Sequence, residues 1–124
     1  MDYIEGFVAA VPTANKQAYL EHAKVAAQCF KDYGALNLVE GWGDDVPDGE
    51  ITSFNKAVLC RDDETVVLSW VIWPSKAVRD KGMEQLMTDE RMQAPNNPMP
   101  FDGRRLIYGG FSMLHKATFT EPGK

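Results

Sequence analysis

The chain is poor in the residues that usually carry covalent or metal chemistry. Among 124 residues there are two cysteines and two histidines. Cys29 and Cys60 have no second Cys, and no His at metal-ligand spacing, beside them. That excludes a disulfide framework and a zinc-binding spacing, and both thiols read as structural residues in a reduced, cytoplasmic setting. No apolar run reaches the ~18 residues that a membrane span requires. The opening Met-Asp-Tyr-Ile-Glu lacks the basic start and apolar core of a secretion signal, so a leader is not expected. Positive charge is also scarce: 13 Lys and Arg face 18 Asp and Glu, for a net charge of −5. A general nucleic-acid binder needs a basic surface for its phosphate contacts, and none is expected here. There is no internal repeat, phosphate-cradling glycine loop or nucleotide fingerprint, and no cofactor is implied.

What remains is ordinary globular composition, 44% hydrophobic and 25% charged, at a length that suits one domain. The most informative stretch is residues 65–73, TVVLSWVIW. A half-buried strand alternates apolar and polar side chains. Here Val66, Leu68, Trp70 and Ile72 fall on one face, and Val67, Val71 and Trp73 on the other, with only Ser69 interrupting. Such a strand must be covered on both sides. Two good helical segments suffice for one side, so the other side calls for a second sheet, most simply from a second copy of the chain.

Residues 3–11 read as a strand ended by Pro12, with Thr13 as N-cap of a helix over residues 14–33. Tyr19, Ala23, Ala26, Ala27 and Phe30 share one helical face, whose alanines would let it sit close to a sheet. Gly34 suits the residue just past the helix end. Residues 36–42 read as a strand, 43–49 as a polar loop, and 54–60 as a strand pairing back on 65–73 through an acidic turn. Ser75 caps a helix running to about residue 89, weakened by ~1 kcal/mol at Gly82. Residues 93–100, with three prolines and two asparagines, form an irregular loop. Residues 104–114 form the last strand, where Gly109-Gly110 implies a bulge or a close backbone approach. Residues 115–124 read as a loose tail. The order β-α-β-(β)-β-α-β is the ferredoxin-like plan of the α+β class: an antiparallel sheet with two helices on one face. Two such sheets packed face to face form a dimeric α+β barrel.

Three ordered motifs go further than fold: EGWGDDVPDG (residues 40–49), WVIWPSKAVRD (70–80) and MPFDGRRLIYGGF (99–111), preceded by YIEGFV (3–8). Together they resemble the YbaA-like family of bacterial proteins, known as domain of unknown function 1428. The resemblance runs from about residue 3 to 113. It implies a dimeric ferredoxin-like protein and supplies no reaction. Cofactor-free monooxygenases and muconolactone-isomerase-like enzymes share related architecture, which is analogy at the level of fold alone.

The candidate site residues follow from chemistry. Glu5 and Glu40 lie inside strands, where apolar surroundings would raise a carboxyl's pKa and fit it for general acid or base work. The structural alternative is that one faces solvent and the other pairs with Arg104 or Arg105. Trp42, Trp70, Trp73, Phe101, Tyr108 and Phe111 form an aromatic set, which reads first as core and dimer interface. Read functionally, it lines a flat apolar pocket into which Tyr108 places its hydroxyl. Arg79, Arg104 and Arg105 are the candidate anion contacts, with surface pairing to Asp80 or Asp102 as the plainer role. Asp44, Asp45, Asp48 and Glu50 cluster in one loop, but Val46 breaks the calcium-loop pattern, so the loop reads as a solvated turn. His22 reads as a surface or helix-packing residue. Three functions stay open: a homodimer that binds a small metabolite between sheet and helices; a monooxygenase- or isomerase-like enzyme using Glu5 or Glu40 with Tyr108 or an arginine; and an interaction protein with no pocket.

Overall fold

In the computed structural model, which describes residues 1–120, the two-faced segment forms an interior strand. The elements are β1 (Tyr3–Pro12), α1 (Lys16–Asp32), β2 (Asn37–Trp42), α2 (Phe54–Ala57), β3 (Glu64–Trp73), α3 (Lys76–Thr88) and β4 (Ile107–Ser112). The fold is α+β: four antiparallel strands in the order β2-β3-β1-β4, with three helices. β3 pairs with β1 along its whole length, from Tyr3 opposite Trp73 to Pro12 opposite Glu64. It therefore has neighbours on both edges as well as apolar side chains on both faces.

The register sorts the faces. Tyr3, Glu5, Phe7, Ala9 and Val11 of β1 stand with Val67, Ser69, Val71 and Trp73 of β3 and with Leu38, Glu40 and Trp42 of β2. α1 and α3 cover this side. One core cluster joins Tyr3, Ala26, Phe30, Val71 and Trp73; a second joins Ala9, Val11, Tyr19, Ala23 and Val67. Burying such side chains stabilises by about 1.5–3 kcal/mol each. On the opposite face, residues 43–63 fold over one end and bury Ala10, Val58 and Val66. Beyond that cover the face is open: Val66 is 5% exposed, but Leu68 is 39%, Trp70 37% and Phe111 60% exposed.

Several local expectations hold. Gly34 takes a φ of 102° past the end of α1, and Ser75 accepts a hydrogen bond from the Val78 N–H. Others are corrected. Residues 54–60 are not a strand. The Ser53 side chain caps α2 by accepting from the Lys56 N–H, and Asn55 donates to the Val46 carbonyl, so local side-chain bonds win over sheet pairing. Thr13 does not cap α1; its hydroxyl bonds that of Thr65 at 2.7 Å, and a 3₁₀ turn over Thr13–Asn15 precedes the helix. The last strand is shorter than expected, because Gly103–Arg105 form a 3₁₀ turn. Residues 115–120 have no regular structure, and the rest of the expected tail lies outside the described residues.

Gly82 is explained by packing. It is buried on α3, and a Cβ there would sit 2.5 Å from Cη2 of the fully buried Trp73. Gly82→Ala should therefore lower stability by about 1–3 kcal/mol through overpacking, more than offsetting its helical gain of about 1 kcal/mol. Urea unfolding decides this: a variant as stable as the wild type would mean the ring moves freely.

Candidate functional site

The two in-strand glutamates lie on the same face of the sheet and meet different partners. Glu5 is 1% exposed on β1. Arg79 of α3 reaches down to it with a two-pronged pair, Nε to Oε1 at 2.8 Å and Nη2 to Oε2 at 3.1 Å. The guanidinium also lies 5.3 Å from the Tyr3 ring centre and bonds Asp80. Gly110 of β4 faces Glu5 in the ladder, and a Cβ on it would come within 2.7 Å of Arg79 Nη2. The expected close approach at Gly109-Gly110 is thus the seat of this ion pair. Arg79 binds a carboxylate, but one belonging to the chain itself.

Glu40 has no arginine. It lies on the edge strand β2 and is solvent-accessible as a residue, yet its carboxyl turns toward α1 and is part-buried where Oε1 accepts the Tyr19 hydroxyl at 2.7 Å. Burial pushes this carboxyl above its usual range, opposed in part by hydrogen bonding from Tyr19 and the nearby Ser69 hydroxyl. Burial, and then the neighbouring Glu40 charge, push the Tyr19 phenol up as well. Ser69, the one polar break in β3, lies directly opposite Glu40.

This group stands where two cavities meet. The outer one, about 420 Å³, lies between the start of α1 and the β2 edge and is lined by Lys16, Leu20, Trp42 and Val67. The inner one, about 200 Å³, lies between sheet and helices and is lined by Phe7, Phe30, Met83, Met92, Met99 and Phe101. Tyr19, Ala23 and Glu40 line both. The proline-rich loop closes the inner cavity. Asn15 holds it through the Pro100 carbonyl at 2.9 Å, and Asn97 meets His22 Nδ1 at 3.1 Å. Burial lowers the His22 pKa, and its ring packs against Tyr19 and Phe101, so it is a helix-packing histidine.

Of the expected site residues, the structure gathers Glu40, Trp42 and Phe101 around Tyr19. Glu5 and Arg79 neutralise one another elsewhere, and β3 separates the strands of the two glutamates. Trp73 is sealed in the core at 0% exposure. Tyr108 is 73% exposed on β4 and lines neither cavity. Arg104 points outward and pairs with Asp102. Arg105 grips Glu64 at 2.6 and 2.7 Å, and this guanidinium holds the Glu64 carboxyl down at about 2. The acidic loop is exposed, anchored by Asn55 to Asp48 and by Lys56 to the Gly49 and Glu50 carbonyls. Sequence reasoning missed Tyr19 and Ser69 as site residues. The signals were a hydroxyl on an otherwise apolar helical face and a lone serine in an apolar strand.

Removing Arg79 strands a buried carboxylate. Arg79→Ala should cost about 3–5 kcal/mol in urea unfolding, and Arg79→Lys should restore only part, because a lysine cannot reproduce the two-pronged contact. A loss below about 1 kcal/mol would mean that Glu5 finds water or another donor. Glu40 has the opposite sense. Its raised carboxyl favours the protonated form in the folded chain, so its contribution is present below 4.5, its ordinary value, and is lost as pH rises through the higher folded value. The groups that touch it are Tyr19 of α1 and Ser69 of β3. Glu40→Gln should melt at the same temperature as the wild type near pH 4 and higher at pH 8. A pH-independent difference would show that burial does not govern this carboxyl.

A family profile described as a protein of unknown function (DUF1428) matches residues 2–103. The chain is 51% identical over 114 residues to "Uncharacterized protein YbaA" of Escherichia coli K12, covering 92% of this chain and 97% of that protein. The proteins of the same name in Escherichia coli O157:H7 and Shigella flexneri match equally. None of these names states an activity. With the family profile spanning β1 to β3 and the Tyr19–Glu40–Ser69 group, the chain belongs to the DUF1428 family of proteins of unknown function.

Proposed function

We propose that the chain is a cytoplasmic homodimer of ferredoxin-like protomers that binds a small molecule in the cavity between α1 and β2. The observation that carries the binding reading is the part-buried Glu40–Tyr19 pair on the wall of an apolar cavity of about 420 Å³. Small-molecule sites have this size and this character: mostly apolar walls with a few convergent polar groups. The strand order β2-β3-β1-β4, with α1 and α3 on one face, supports the ferredoxin-like plan. The open face supports the dimer. Leu68, Trp70, Val39, Ile107 and Phe111 are each more than a third exposed there, and large apolar patches on a protein surface mark interaction sites. Among the described residues no helix is long and apolar enough to cross a membrane.

The raised Glu40 carboxyl favours one second reading, a cofactor-free isomerase- or monooxygenase-like enzyme with Glu40 as base. Tyr19, rather than Tyr108 or an arginine, is then the hydroxyl within reach. Glu5 drops out of this reading because Arg79 holds it.

Native mass spectrometry of untagged protein tests the assembly and the binding together. The expected result is a dimer carrying an added small mass, with Leu68→Arg giving a folded monomer because it places a charge in the open face. A wild-type monomer at micromolar concentration would overturn the dimer. A bare chain that also fails to take up the neutral apolar dye Nile red would overturn the binding reading.

A further inference from the structure

Lys16 is the one cation on the wall of the outer cavity, and it has no carboxylate partner among the described residues. Its ammonium lies 5.5 Å from the Trp42 ring centre instead. Glu40 lines the same cavity but makes no ion pair with Lys16; its carboxyl is occupied by the Tyr19 hydroxyl. The wall thus holds a positive charge with no carboxylate partner among the described residues at one place and a hydrogen-bonded carboxyl at another, and Leu20, Ala23, Trp42 and Val67 add apolar surface.

We propose that this cavity takes a small planar carboxylic acid, its apolar body against Trp42 and Leu20, its carboxylate on Lys16 and a neutral polar edge toward Glu40. The proposal rests on the reading of this cavity as a binding site and names the ligand class. A single ammonium matches a monoanion, and a charge-assisted hydrogen bond to it is the strongest polar contact the wall offers. A phosphate ester fits less well, because it wants several converging donors, and the net charge of −5 repels polyanions. An amine fits less well too. It would set a second cation beside Lys16, and burial disfavours the ionised Glu40 that would have to balance it.

Naphthoate, naphthylmethanol and naphthylmethylamine share one apolar body and differ in charge. Each is titrated into the full chain, its Lys16→Met variant and its Lys16→Arg variant, with the Trp42 indole NMR signal as readout, assigned through Trp42→Phe. Lys16 is exposed, so neither variant threatens folding. Naphthoate should bind tightest. Lys16→Met should weaken it about ten-fold or more while leaving naphthylmethanol unchanged, and Lys16→Arg should retain it. If the alcohol or the amine binds as tightly as the acid, or Lys16→Met leaves naphthoate unchanged, the acid assignment is overturned and the cavity remains a binding site. If none of the three moves the Trp42 signal, both the assignment and the cavity reading fail.

Discussion

β3 has to be satisfied on four sides, and the rest of the molecule is arranged around that requirement. Its edges are paired to β1 and β2, and its Val67–Trp73 face is roofed by α1 and α3. The remaining face carries Val66, Leu68, Trp70 and Ile72. The segment between β2 and β3 reaches only the first of these, and exposure rises from 5% at Val66 to 39% at Leu68 two residues on. Among the described residues no further helix or strand lies over the rest. A strand that is apolar on both faces needs cover on both, and the stretch left open here is Leu68 to Trp70.

This constraint was legible in the sequence because side-chain alternation along a strand is geometric. The faces of residues 66–73 follow from counting, and so did the Ser75 cap and the glycine after α1. Residues 54–60 misled because their apolar residues, Phe54 and the run Ala57–Cys60, are many but do not alternate. Short local bonds from Ser53 and Asn55 decided the outcome there, and no pattern of hydrophobicity reports such bonds. Gly82 read only as a weak point in a helix; its reason lies 2.5 Å away, in a tryptophan nine residues earlier in the chain and on another element. The candidate site was half legible. Glu40, Trp42 and Phe101 were marked by residue type, but their grouping around Tyr19 depends on how α1 crosses the sheet.

Glu5 and Glu40 show why residue type alone could not separate structure from chemistry. Both side chains enter the same layer from strands of the same sheet. Glu5 sits on an interior strand under α3, where a glycine on β4 makes room for a guanidinium that holds both carboxylate oxygens, and it lines neither cavity. A buried ion pair of this kind contributes little net stability compared with apolar packing, but it fixes α3 over β1 because either partner alone is costly. Glu40 sits on the edge strand under a phenol. A phenol neutralises nothing, so burial still raises this carboxyl, and Glu40 lines both cavities.

The cavities themselves trace back to α1. Its buried face alternates large and small: Tyr19, then Ala23 and Ala26, then Phe30. Alanines on that face would permit close contact with a sheet, but the helix is held off by the rings on either side of them. Tyr19 stands on Glu40, and Phe30 stands edge-on to Trp73 at 5.9 Å. A rigid helix propped at two points about three turns apart cannot collapse onto the small residues between them. The space left over Ala23 is shared by both cavities, and that over Ala26 opens into the inner one. The Tyr19 hydroxyl bond therefore does two things at once. It props α1 beside the void, and it holds the Glu40 carboxyl, the one carboxyl among the described residues that line the void.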